Sequence, residues 1–203
     1  MPRLLRYLIP ILLLQAVFVS AEASPPDSSG SRKWYLPHYI PVQFAGNIGL
    51  LSTGLGYTSN KENYGLNILY GYVPASIGDQ HIHMITAKNI FPIFHIPLTN
   101  HQRLTPYLGL GLMVEVGGNA FFTLPSQYPE GYYDFPKNLH VTGFGGARLQ
   151  HLFRKDASFL RGIELYAEAG TIDVYVWYRT ISDEIKFNQI FSLALGVNLL
   201  LDR

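Results

Sequence analysis

The stretch TPYLGLGLMVEVG, residues 105 to 117, sets Leu108, Leu110, Leu112, Val114 and Val116 at every second position, with Tyr107, Gly109, Gly111, Met113 and Glu115 between them. Successive side chains of an extended strand point to opposite faces, so this segment has one aliphatic face and one small, polar face. The same division recurs. Leu139, Val141, Ala147 and Leu149 oppose His140, Thr142, Gly146, Arg148 and Gln150. Ile163, Leu165, Ala167 and Ala169 oppose Glu164, Tyr166, Glu168 and Gly170. Phe191, Leu193, Leu195, Val197 and Leu199 oppose Ser192, Ala194, Gly196 and Asn198. A chain with this period must build a sheet whose two sides differ in chemistry.

Turn chemistry divides the chain beyond Pro37 into eight strand segments. They are Val42–Gly46, Leu50–Thr58, Tyr64–Val73, His81–Ile90, 105–116, Leu139–Leu152, Gly162–Val174 and Asn188–Leu201, and no convincing amphipathic helix interrupts them. An even number of strands leaves both termini at one end, together with SNKEN, FHIPLTNHQ and RKDASFLR. The stretches GNIG, PASIGDQ, VWYRTISDEI and a loop of about twenty residues fall at the other end. These features predict an all-β fold: a closed, antiparallel, up-and-down transmembrane β-barrel of about eight strands.

Period two alone is equally compatible with a soluble barrel around an apolar interior, the lipocalin-like carrier. The polar face favours the membrane. Only 14% of residues are charged, against about 25% in ordinary soluble domains, and this face is built from Gly, Ala, Asn and Tyr rather than from Lys and Glu. Small residues suit a narrow lumen that side chains fill. Aromatic residues gather near strand ends as a candidate interfacial girdle: Tyr57, Tyr64, Tyr70, Tyr72, Phe91, Phe94, Tyr107, Phe153, Tyr175, Trp177 and Phe187. A net charge of +1 and the lack of any basic run argue against nucleic acid as a partner.

The first 23 residues carry Arg3 and Arg6, an apolar core from about Leu8 to Val19 and the sequence Ala21-Glu22-Ala23, the form of a cleaved secretory signal peptide. Residues 24–37 then read as a flexible N-terminal segment and 38–203 as the barrel domain. With no cysteine in the chain, neither disulfides nor thiolate metal sites contribute to its stability.

From Val42 to Leu201 the pattern resembles the small bacterial outer-membrane barrels of the OmpA/OmpX type and the lipid A modifying barrels. The resemblance implies a place in the outer membrane, in contact with membrane lipid and lipopolysaccharide. The chain departs from it by ending Leu201-Asp202-Arg203 rather than on an aromatic residue. LYGYVP at 69–74 is distinctive but carries no function with it.

Four sets of residues are candidates for function. Glu115, Arg148, Glu164 and Glu168 share the polar face and are expected to pair as a lumen network, since unpaired charge there is costly. Ser76, Asp79, His81 and His83 provide the hydroxyl, carboxylate and imidazole that lipid A deacylases and acyltransferases use, although the deacylases' His-x-Ser-Asn signature is missing. Asp79, His81 and His83 also alternate as metal ligands would, but no further ligand is identifiable, so no metal site and no cofactor is expected. Phe121, Phe122, Tyr128, Tyr132 and Tyr133, set among prolines in the long loop, suit recognition of a surface ligand or protein. The leading expectation is a structural or surface-binding barrel, not an open pore, with lipid A acyl-chain modification as the enzymatic alternative. If the export signal is read correctly, N-terminal sequencing of the mature protein will start at Ser24; a chain retaining Met1 would refute the cleavage.

Overall fold

The computed structural model describes residues 35–116, 138–153, 159–182 and 185–202. Nine strands run in chain order: β1 (Tyr39–Ala45), β2 (Leu51–Thr58), β3 (Gly65–Val73), β4 (Ile82–Pro92), β5 (Ile96–Thr99), β6 (Gln102–Val116), β7 (Leu139–Leu152), β8 (Leu160–Ile172) and β9 (Ser192–Leu201). Each neighbouring pair is antiparallel. The β1–β9 and β4–β6 pairings close eight of the strands into a barrel, while β5 adds a short hairpin onto the start of β6. The eight predicted strands are therefore present. The ninth was not foreseen, because IPLT lies in a segment that reads as a turn.

The described strand ends and turns fall at the two ends that strand parity assigns. One end carries the start of β1, the close of β9, the β2–β3 turn and the β5 hairpin; the other carries the β1–β2 and β3–β4 connections, the close of β6 and β8 and the start of β7 and β9. We call these the terminal end and the loop end. Two short helices at the loop end correct the strand-only reading: α1 (Ala75–Gly78) within PASIGDQ and α2 (Asp173–Ile181) directly after β8. A 3-10 turn at Phe187–Ile190 replaces the expected beginning of the last strand. Local propensity does not mark α2 as a helix, because DVYVWYRTI is rich in β-branched and aromatic residues, which also favour strands.

The faces are oriented as the small-residue argument requires. Leu108 and Leu110 on β6, Leu165 on β8, and Leu193 (74% exposed) and Leu195 on β9 point outward, whereas Gln43, Ser52, Asn67, Thr86, Lys88, Thr105, Glu164, Glu168 and Asn198 are buried inside. Two polar side chains on the outer wall spend their hydrogen bonds within it. Thr53 donates its hydroxyl to the Pro41 carbonyl at 3.0 Å, and the Asn89 side chain accepts from the Tyr64 hydroxyl at 2.7 Å and donates to the Leu110 carbonyl.

The inward glycines accommodate rings. Tyr39 faces Gly56, Phe144 faces Gly109 and Tyr166 faces Gly196 in register. A Cβ on any of these glycines would lie about 2.1–2.2 Å from ring atoms of its partner. Each aromatic ring thus lies across the bare backbone of the neighbouring strand, a cross-strand arrangement that pins register. Gly196→Ala should displace Tyr166 and destabilise the barrel by about 1–3 kcal/mol, the range for overpacking. Gly143→Ala, whose Cβ would meet nothing nearer than a Leu110 methyl at 3.8 Å, should be tolerated. Urea unfolding compares the two.

Candidate functional site

The barrel interior holds a dense polar network at mid-height. Lys88 Nζ on β4 lies 2.5 Å from Glu168 Oε1 on β8 and donates to Gln43 Oε1 on β1 at 3.2 Å. Tyr107 donates its hydroxyl to the other Glu168 oxygen at 2.9 Å, and Tyr166 donates to Gln43 Oε1 at 3.3 Å. Lys88 Nζ also sits 4.2 Å from the centroid of the Phe144 ring, where the negative face of the ring offsets part of the lost hydration. Nearer the terminal end, Arg148 Nη1 lies 3.5 Å from Glu164 Oε1, which also accepts from Asn198 Nδ2 at 2.7 Å. Tyr39 donates to Asn67 Oδ1 at 2.5 Å in the same region. Two cations thus face two carboxylates, and among the described residues the buried charge sums to zero.

Three of the four predicted network residues, Arg148, Glu164 and Glu168, come together. Glu115 does not. It lies half-exposed near the loop end of β6, where its backbone N–H donates to the Asn138 carbonyl at 2.8 Å, and its side chain makes no ion pair among the described residues. It shares the inward parity of β6 but sits two turns of the pleat beyond Gly111 and so above the level of Lys88. Tyr107, assigned to the girdle, is a further correction: it points inward and is buried.

Sequence reasoning missed Lys88, which is 2% exposed and central to the network. Its strand blurs the alternation. Met84 and Ile90 are apolar yet face inward, and Asn89 is polar yet faces outward, so period two alone does not reveal the role of Lys88. The useful signal was charge: Lys88 shares inward parity with Thr86 in a strand that carries no other charged group.

Residues of the described chain occupy both ends of the lumen. At the loop end the β1–β2 turn folds inward, placing Ile48 against Leu69, Met84 and Met113. Gly46 and Gly49 supply the positive φ angles of this turn, +85° and +125°. Gly71 leaves room for the Ile48 carbonyl, which a Cβ would meet at 1.7 Å. A hydrogen bond between the Ser192 hydroxyl and Asn47 Oδ1 ties the turn to β9. At the terminal end Arg103 pairs with Glu62 at 2.5 Å, and His95 bonds the Thr105 hydroxyl at 3.0 Å. Burial alone would raise the Glu62 pKa, but the hydrogen bond and positive charge of Arg103 outweigh it and hold the carboxyl below its ordinary value. Burial and Arg103 together lower the pKa of His95. The internal cavities beside Lys88 measure about 10 Å3 each, the room a single water needs.

The candidate acyl-transfer residues lie at the loop end but do not form a triad. His81 Nδ1 and His83 Nδ1 are each 2.6 Å from a tyrosine hydroxyl, those of Tyr72 and Tyr70 respectively, and the Tyr72 ring stacks on His81. These four side chains form an outward-facing patch at the rim. Ser76, in α1, and Asp79, with φ of 60° at its C-cap, are exposed, and neither bonds an imidazole among the described residues. No group of three or more His, Asp or Glu capable of holding a metal occurs among the described residues. Phe121, Phe122, Tyr128, Tyr132 and Tyr133 lie outside the described residues. No protein-family model, curated protein or solved structure matches the chain.

The Lys88–Glu168 pair generates a test. Lys88→Met leaves a buried carboxylate without its cation and should cost about 3–5 kcal/mol. Lys88→Met combined with Glu168→Gln should recover a substantial part, because the uncompensated charge is then gone. Equilibrium unfolding measures both; equal losses in the two variants would mean that the pair is not coupled.

Proposed function

We propose that the protein is an exported barrel of a bacterial outer membrane, of the Gram-negative type, whose role is structural or lies in binding through its outer loops. The observation that carries this reading is the distribution of polarity: aliphatic side chains cover the outside of a closed barrel, and buried, mutually neutralised charges fill the inside. In water that arrangement would expose the larger apolar surface and bury the polar one. In lipid it is the stable one, because closure leaves no backbone edge unpaired and the outer wall matches the acyl chains.

A filled lumen supports a non-conducting barrel. Eight strands enclose only enough space for side chains, and here the Ile48 cluster occupies one end while the Glu62–Arg103 pair lies at the other. The same filling weighs against a lipocalin-like carrier, which needs an apolar cavity the size of its ligand. Lipid A acyl modification has less support, because Ser76 and Asp79 stand apart from His81 and His83. On this reading the contacts with other molecules are membrane lipid and lipopolysaccharide around the wall, and a surface ligand or protein at the loops.

Cell fractionation followed by electrophoresis with and without boiling tests the proposal. We expect the protein in the outer-membrane fraction, a band that shifts on heating, and no stepwise conductance in planar bilayers. Extraction in detergent-free buffer with no shift would overturn the membrane reading. A lipid A acylation pattern that changes on deletion of the gene, and that returns with the wild type but not with Ser76→Ala or His83→Ala, would replace the non-enzymatic role by the enzymatic one.

A further inference from the structure

We infer that α2 is a membrane-surface anchor that lies in the headgroup region of the outer leaflet; this rests on the outer-membrane reading above. Like the barrel wall, the helix turns apolar and aromatic side chains outward: no residue of it is buried, and Tyr175 and Val176, which flank Arg179, are exposed too. Trp177, Tyr178 and Ile181 are about half exposed or more, and at 100° per residue they share one face with Val174. Arg179 lies on the opposite side, less exposed than its neighbours, and donates from Nη1 to the Ser182 carbonyl at 3.4 Å. A helix resting on a protein surface in water would present its arginine to solvent and its Trp, Tyr and Ile to the protein.

Its placement is set by the fold. It follows β8 without a linker, and Asp173 clamps the junction: its carboxylate accepts from the Val141 and Val174 backbone N–H groups at 3.1 and 2.8 Å and bonds His140 Nδ1 at 3.2 Å. Beyond it, Phe187 and Phe191 pack edge to face with centroids 5.1 Å apart and lead into Leu193 and Leu195 of β9, all four exposed. The apolar outer wall thus continues through the two phenylalanines to the rim, where α2 contacts β7, β8 and the 3-10 turn. Amphipathic helices carrying Trp and Tyr partition to the boundary between headgroups and acyl chains, where ring and polar tip are both accommodated. The fitting partner is therefore the lipid surface that surrounds the barrel.

Trp177 is one of two tryptophans in the chain, which makes the inference measurable. The Trp34→Phe variant of the full barrel, reconstituted into phosphatidylcholine vesicles, reports Trp177 alone. We expect blue-shifted emission, quenching by lipids brominated near the headgroup end of the chain and weak quenching by acrylamide. Leu110→Trp in a Trp34→Phe, Trp177→Phe background places the reporter on the mid-wall and should be quenched by lipids brominated deep in the chain. If the mid-wall reporter is quenched by bromolipid and Trp177 is not, the anchor inference fails and the membrane barrel stands. If neither is quenched, both fail.

Discussion

Closure of the backbone ladder between β1 and β9, and between β4 and β6, is the constraint on which the rest of the molecule depends. Tyr39 through Ala45 pair in unbroken register with Leu200 through Ala194, so the short first strand is held along its whole length by the last. An edge left open would expose a row of unpaired N–H and C=O groups, costly in lipid and prone to association in water. Closing the sheet with eight strands also settles the width of the interior. That width is small, and the residues facing inward must fill it without colliding.

Two consequences of the narrow interior explain the composition that the inward face carries. Where a ring enters, the residue opposite on the next strand has no side chain, as with Tyr166 over Gly196 and Phe144 over Gly109. Where a charge enters, its counter-ion is within hydrogen-bonding reach, as with Lys88 and Glu168. Desolvation of an isolated ammonium or carboxylate would cost several kcal/mol. A neutral pair with added hydrogen bonds from Gln43 and Tyr107 limits that cost and holds strands far apart in sequence in one arrangement.

The interior is layered along its axis. An apolar cluster around Ile48 occupies the loop end, the Lys88 and Arg148 networks occupy the middle and lower levels, and Glu62, Arg103 and His95 gather at the terminal end. The position of Ile48 follows from backbone geometry: the left-handed residues Ala45, Gly46 and Gly49 turn the hairpin tip inward rather than away. Because the depressed Glu62 pKa favours the folded state above the ordinary carboxylate pKa, that contribution is lost as pH falls through the folded value, and partial exposure of the pair keeps it small.

Period-two alternation determined, from the sequence by itself, the strand content, the number of barrel strands and the sorting of residues between two faces. Those properties follow from local geometry, since a strand turns each successive side chain over. It did not determine which inward residues meet. Lys88 and Glu168 are eighty positions apart, and only ring closure and register bring them together, while the same register leaves Glu115 above the network. Nor did it distinguish helix from strand at 173–181, where propensity is ambiguous and the clamp of Asp173 on β7 is a tertiary contact. Local chemistry therefore wrote the pattern of the wall, and the strand register of the closed barrel decided which charges its lumen pairs.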